Sequence, residues 1–304
     1  MEVSLSDAVK YAEKINELVA PHIVGNEDVK KAIGLQLFAR PEIGEKLHIL
    51  LIGSAAAGKS EILVDVTRVS DARYATSKVS VAGLTGAVVG STFVPGIMSE
   101  CDTGIVCVDE FDKIKDEERA AFLEAMQKGT TTVIKALHHK TIPTRVNVLA
   151  ASNPVGGRWS AVPSVQEIPF EMPMLSRFHL VVPYKDLPGK CYDNIAKGIE
   201  YKLNNFYNAG DAERTDFVKS YVRFTKEKVP NVKVDNEIVD SLGKWVGMLK
   251  EDNNFAMPVT PRLIEGMLAM MRARARSLMK EKAGKEELDY IKKLALNIMG
   301  KWQP

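Results

Sequence analysis

The stretch Gly53-Ser54-Ala55-Ala56-Ala57-Gly58-Lys59-Ser60 leaves this chain little freedom of fold. Before it runs Leu47-His48-Ile49-Leu50-Leu51-Ile52, apolar enough to read as a buried strand, and after it Glu61 to about Val69 reads as a helix. Strand, glycine loop and helix in that order are the context that makes a phosphate-binding loop specific. Gly53 and Gly58 let the backbone curl until its N–H groups face phosphate oxygens, and the helix N-terminus adds its dipole. Lys59 can then reach the β- and γ-phosphates of a nucleotide, and the Ser60 hydroxyl can ligate magnesium. A plain turn of small residues would share the composition but not the flanks.

Further along, Gly104-Ile105-Val106-Cys107-Val108 ends in Asp109-Glu110, a β-prone run closed by two carboxylates. Asp109 can hold the metal through water, and Glu110 can orient or deprotonate an attacking water. A third apolar run, Val146 to Ala151, ends in Ser152-Asn153-Pro154. An amide beside the acidic strand can sense the γ-phosphate, although a turn before proline would read the same.

Strands alternating with helices imply a parallel sheet covered on both faces. Ser6–Leu18 and a segment running to Ala39, with Asn26 as its N-cap, read as helices, as does Asp116–Lys128 with Ala120, Phe122, Leu123 and Met126 buried. Thr130 to Ile142 reads as a hairpin carrying Lys135, His138, His139 and Lys140. Beyond Pro183 no strand-like run survives and only helical patterns recur. The boundary therefore falls near Pro188-Gly189, dividing an α/β core (1–188) from a helical lid (189–304).

With 45% hydrophobic and 26% charged residues the chain reads as globular, and a net charge of +2 confines any basic surface to local patches. No apolar run approaches the roughly 20 residues of a membrane span. The start lacks a basic region leading into an apolar one, which argues against a signal peptide. Cys101, Cys107 and Cys191 have no metal-ligand spacing and suit a reducing compartment.

In sequence, these pieces resemble the AAA+ ATPase domain of the minichromosome maintenance (MCM) replicative helicases, from about Leu18 to about Met271. Val19 to Ala32 looks like the family's opening segment, and Ala82 to Val89 like the start of its helix-2 insertion. Asp109-Glu110-Phe111-Asp112-Lys113 matches its Walker B signature and Ala150 to Pro154 its first sensor. Leu175-Ser176-Arg177-Phe178 resembles its arginine-finger motif and Thr260 to Glu265 its second-sensor helix. The resemblance implies a P-loop NTPase core with a parallel five-stranded sheet, β-hairpin insertions and a C-terminal helical lid, assembled as a hexameric homo-oligomer with ATP and Mg2+ bound between subunits. Ile23, Val24 and Gly53 through Glu61 would bind nucleotide, and Ser60 and Asp109 would hold the metal. Lys59, Asp109, Glu110 and Asn153 would act with Arg177 and Arg262 of a neighbour. Lys135 would touch single-stranded DNA, aided by His138, His139, Lys140 and Arg145. The location implied is the cytoplasm of an archaeal or other prokaryotic cell, or the nucleus of a eukaryotic one.

The sequence departs from the family at Ser54, Gly58 and His179, and its insertion between Val89 and Gly104 is short. The flanks expected of the family, an OB-fold with a zinc site before and a winged helix after, find no room here, as in an excised motor domain or a naturally trimmed homologue. Three functions compete: an ATP-driven DNA translocase, which the intact site favours; a scaffold with little turnover; and another AAA+ remodeller indifferent to DNA. Arg272, Arg274, Arg276, Lys280 and Lys282 read as a charged helix face, with contact to DNA or a neighbour as the alternative.

Overall fold

A computed structural model describes residues 5–89, 92–135, 138–160, 164–206, 208–251 and 259–299. Helices α1 (Leu5–Leu18) and α2 (Glu27–Phe38) precede strand β1 (Ile49–Gly53), the glycine loop and α3 (Lys59–Val69). Next come β2 (Arg73–Ala75), the short α4 (Val81–Thr85), the hairpin β3 (Gly86–Val89) and β4 (Thr92–Pro95), and α5 (Ile97–Glu100). Strand β5 (Ile105–Val108) and α6 (Asp116–Lys128) lead into a second hairpin, β6 (Thr130–Lys135) and β7 (His138–Pro143). Strand β8 (Asn147–Ser152), the one-turn α7 (Met172–Leu175) and β9 (Leu180–Tyr184) complete the core. The C-terminal part holds α8 (Tyr192–Asn205), α9 (Ala209–Lys228), β10 (Lys233–Val234), α10 (Asn236–Glu251), α11 (Pro261–Ser277), β11 (Lys282–Ala283) and α12 (Lys285–Met299).

The five-stranded sheet is parallel throughout, in the order β2-β5-β8-β1-β9. Because side chains alternate along a strand, one apolar run feeds two cores. Ile49 and Leu51 of β1 join α1, α2, α3 and the C-terminal helices on one face. Leu50 and Ile52 join Leu84, Phe111, Phe122 and Phe178 on the other. Both faces are covered, as near-continuous apolar strands require. The first core continues without a break into α9, α11 and α12.

Four local expectations are corrected. Ala120 is exposed and Ala125 takes its buried place, because α6 turns the Phe122–Ala125–Met126 side to the sheet. Asn26 occupies the N-cap position of α2 but in a left-handed conformation, and its side chain does not cap. Instead its amide donates to Lys185 O (3.1 Å) and accepts from Lys185 N (3.3 Å), tying the start of α2 to the end of β9. The C-terminal part contains a strand pair after all, the two-residue parallel bridge of β10 and β11, too short to leave a periodic signal. The cationic run on α11 is partly internal. Arg276 is fully buried, paired with Glu45 (2.8 and 2.9 Å) and donating to Phe38 O and Val229 O, while Arg274 lies over the Tyr290 ring, 3.5 Å from its centroid.

Candidate nucleotide site

The glycine loop joins the carboxyl end of β1 to α3, where open α/β sheets place their ligands. Gly58 takes φ +92°, and a Cβ there would lie 3.2 Å from Ile23 Cδ1. At Gly53 a Cβ would lie 2.7 Å from Tyr184 O, so only glycine lets β1 and β9 close at that point. Ala56 is also left-handed, at φ +64°. Alternating left- and right-handed residues make a concave nest of N–H groups, and the first N–H groups of α3 have no partner within the helix. This cradle suits a phosphate chain.

Lys59 bridges the loop. Its ammonium donates to Gly53 O and Ser54 O (both 2.7 Å) and to Asn153 Oδ1 (3.1 Å). Burial lowers its pKa to about 8, against the pull of Asp109, Asp186 and Asp112, so it remains a cation at neutral pH. Asn153 is set by its neighbours in turn, its N–H donating to Asp112 Oδ1 (3.1 Å). The four residues that act together by resemblance, Lys59, Asp109, Glu110 and Asn153, sit at the carboxyl ends of three adjacent strands, β1, β5 and β8.

Sequence reasoning overlooked the residues that hold this set. Tyr74 of β2 donates its hydroxyl to Asp109 Oδ2 (2.7 Å), while Asp109 Oδ1 accepts the Glu110 N–H (2.9 Å). Glu110 stands in a left-handed conformation (φ +51°), a strain of ~1–3 kcal/mol that its surroundings impose. Its carboxylate accepts from Ser77 Oγ (2.8 Å) and from Lys113. The Lys113 bond and then the Ser77 bond lower its pKa, holding it as an anion while they last. Ser54 Oγ donates to Asp186 Oδ2 (2.6 Å) and accepts from Trp159 N (3.1 Å), so this small residue pins the loop to two other segments. Tyr74 and Ser77 lie far from Asp109 in sequence, and only the pairing of β2 with β5 brings them near.

The remaining positions fall as follows. Ala55 N donates to Gly157 O (2.9 Å), Ala57 N lies 3.4 Å from Ser54 O, and Ser60 is exposed in the first turn of α3. Ser60 and Asp109 offer the hard oxygens magnesium takes alongside phosphate and water. Ile23 lies against the loop, and Val24 packs towards Gly198. Glu61, in the first turn of α3, accepts from Lys202 Nζ (2.6 Å) and has His22 Nε2 at 3.5 Å.

Arg177 and Arg262 do not join the set. Residue 49 pairs with 180 and 53 with 184, so the segment carrying Arg177 precedes the amino end of β9 while Lys59 follows the carboxyl end of β1. Five residues of strand, about 16 Å, separate the two ends. Arg262 opens α11 at that far end, close enough to Lys46, His48 and His179 to bear on their protonation. His179 there points inward, its Nδ1 accepting the His48 N–H (2.8 Å). On the hairpin, Lys135 ends β6, and its side chain lies outside the described residues, as do those of His138 and His139. Lys140 lies 4.7 Å from the Phe93 ring centroid. Arg145 is tied to Asp102, its N and Nε donating to Asp102 Oδ1 (2.7 and 3.1 Å), and its side chain stays partly exposed. Among the described residues no helix is long and apolar enough to cross a membrane.

Residues 3–200 match the model of the MCM P-loop domain. The chain is 31% identical to the minichromosome maintenance protein MCM of Saccharolobus solfataricus, over 94% of its own length and 44% of that protein. It is 32% identical to the DNA replication licensing factor MCM5 of Oryza sativa subsp. indica, over 91% of the chain and 42% of the relative. To the DNA replication licensing factor mcm2 of Xenopus tropicalis it is 27% identical, over 98% and 37%. The chain thus spans less than half the length of each of these relatives.

Proposed function

The chain belongs to the MCM family, and on that premise we propose that it is an ATP-hydrolysing motor of a replicative DNA helicase, working at the seam between copies of a hexameric ring. One observation carries this reading: Lys59 links the glycine loop to Asn153 beside Asp109 and Glu110, while the two arginines the chemistry calls for lie beyond its own reach.

ATP with Mg2+, when bound, supplies the phosphoanhydride and the Lewis acid that draws charge from it. The nest and Lys59 would hold the β- and γ-phosphates, the Ser60 hydroxyl would hold the metal with Asp109 acting through water, and Ile23 and Val24 would flank the nucleotide. Asn153 positions the attacking water. Glu110 leaves Ser77 and Lys113 to take that water's proton. Arg177 and Arg262 of the adjacent copy meet the charge growing on the γ-phosphate, because a permanently cationic guanidinium binds phosphate oxygens two at a time. Hydrolysis is thereby tied to assembly. The hairpin β6–β7 carries Lys135 to single-stranded DNA, where each phosphate contact contributes about 0.7 to the salt slope of binding.

The test is complementation. Glu110→Gln and Arg177→Ala are each inactive alone, and mixing them restores part of the turnover, since some seams then join an intact cradle to an intact arginine. Mixtures that stay inactive would refute the shared site. For the DNA role, Lys135→Ala removes DNA stimulation and lowers the salt slope; unwinding at the wild-type rate would exclude it. A second reading, a low-turnover scaffold, draws on one observation: Glu110 is already held by Ser77 and Lys113. Turnover of the pure chain with and without single-stranded DNA separates the two.

A further inference from the structure

Helix α8 turns its apolar stripe outward. Tyr192, Ile195, Ile199 and Leu203 recur at helical spacing on one side, with Tyr192 65%, Ile199 54% and Leu203 78% exposed. The flank adjoining the stripe, on the Ile195 side, is what holds the helix to the molecule. Gly198 packs so closely on His22 that a Cβ would lie 2.3 Å from its carbonyl oxygen, and Lys202 pairs with Glu61 at 2.6 Å. An amphipathic helix ordinarily buries such a stripe, and a contiguous exposed one marks a contact surface.

Its position identifies the occupant. Ile23 lies against Gly58 while its neighbours His22 and Val24 pack on Gly198, so α8 stands beside the glycine loop. That cradle lacks its arginine within one chain. Arg177 sits at the other end of the sheet, in a groove of about 750 Å³ whose walls include Leu123, Pro169, Phe170, Pro173 and Met174. One surface thus offers a phosphate site beside an apolar ridge, and another offers an arginine in a groove whose apolar walls are shared with Asp116, Glu124 and Glu171. Two different patches that fit each other make a head-to-tail contact, the kind that closes into rings.

We propose that the α8 stripe of one copy seats in the Arg177 groove of the next, so that apolar burial aligns the arginine with the neighbouring phosphate cradle. This rests on the shared site proposed above. It adds the hydrophobic element that sets the register of the seam.

The experiment uses the full chain with magnesium and a non-hydrolysable ATP analogue, followed by sedimentation velocity. Leu203→Asp and Ile199→Asp raise the concentration needed for half-assembly by about tenfold or more, equivalent to ~1.4 kcal/mol. Tyr201→Asp, on the side of α8 away from the stripe, does not. All three keep the wild-type thermal midpoint, since none of these side chains is buried. In a Cys191→Ser background, Leu203→Cys and Met174→Cys together give crosslinked ladders beyond the dimer with a short bismaleimide. Leu203→Cys alone gives none. Wild-type assembly by Leu203→Asp, or dimers from Leu203→Cys alone, would overturn the seating while leaving the shared site intact if Glu110→Gln and Arg177→Ala still complement. Failure of that complementation, or a wild-type chain that never assembles, would remove the shared site and the seating with it.

Discussion

At the carboxyl end of β1, Lys59 is buried among Asp109, Asp112 and Asp186 and keeps its charge. At the amino end of the same strand, His48 and His179 are buried near Lys46 and Arg262, and their pKa values fall, for His48 through burial first, then its neighbour His179, then Lys46 and Arg262. Burial lowers the pKa at both ends; the acids around Lys59 offset part of that loss and its amine, starting from 10.5, ends near 8, whereas the imidazoles start from 6.5 and fall from there. Acids around an amine hold a cation ready for phosphate. Burial leaves the imidazoles as neutral groups that hydrogen-bond the backbone, His48 Nδ1 accepting from Val148 N (3.2 Å). The proposed chemistry sits at one end, while the other is packed, with Arg177 and Arg262 half-buried there.

The comparison is tested most severely at Lys59. Lys59→Ala should lower turnover by about a thousandfold or more, the scale of losing a cation on a transferring phosphoryl group, read as phosphate release at saturating ATP. Residual turnover within tenfold of wild type would mean that the carboxyl end is not the reacting end. At the opposite end, Arg276→Ala should cost ~3–5 kcal/mol of unfolding free energy in urea, because Glu45 is left buried without its partner. A loss below ~1 kcal/mol would show that the far end tolerates unpaired charge.

The titration of the imidazoles is the next largest effect. His22, His48 and His179 have folded-state pKa values below the ordinary 6.5. The unfolded chain therefore takes up protons first as pH falls. Stability is full above pH 6.5 and declines below it, by up to about 1.4 kcal/mol per imidazole for each pH unit until the folded state titrates. Urea midpoints at pH 7.5 and 5.5 measure it, and equal values would mean that these groups are charged in the fold. The smallest expected effect is at Ser77. Ser77→Ala frees one bond to Glu110, worth ~0.5–1.5 kcal/mol, and should raise kcat by about two- to tenfold with KM unchanged. A fall in kcat would show instead that Ser77 positions Glu110 for the reaction.

Much of this was legible in the sequence because it is local. The glycine loop, the apolar strands and the Asp109-Glu110 ending each lie within a few residues of chain. The helices from α8 to α12 announce themselves by periodicity. Reading failed where a partner is distant or a signal is too short. Asn26 has the chemistry of a cap, yet Lys185 claims its side chain. Ala120 and Ala125 are interchangeable to a periodic reading, and only the tilt of α6 on the sheet chooses between them.

What the sequence determined by itself is the chemistry of the cradle, since the backbone of one loop and the two residues after it carry most of that chemistry. What only the tertiary structure decided is who stands around it. Strand order placed Tyr74 on Asp109 and Ser77 on Glu110. Parallel register put Arg177 at the wrong end of its own sheet and left the stripe of α8 facing outward. Spacing along a chain fixes contacts across a few residues, whereas contacts across a sheet depend on which strands become neighbours, and that is settled by burying both faces at once.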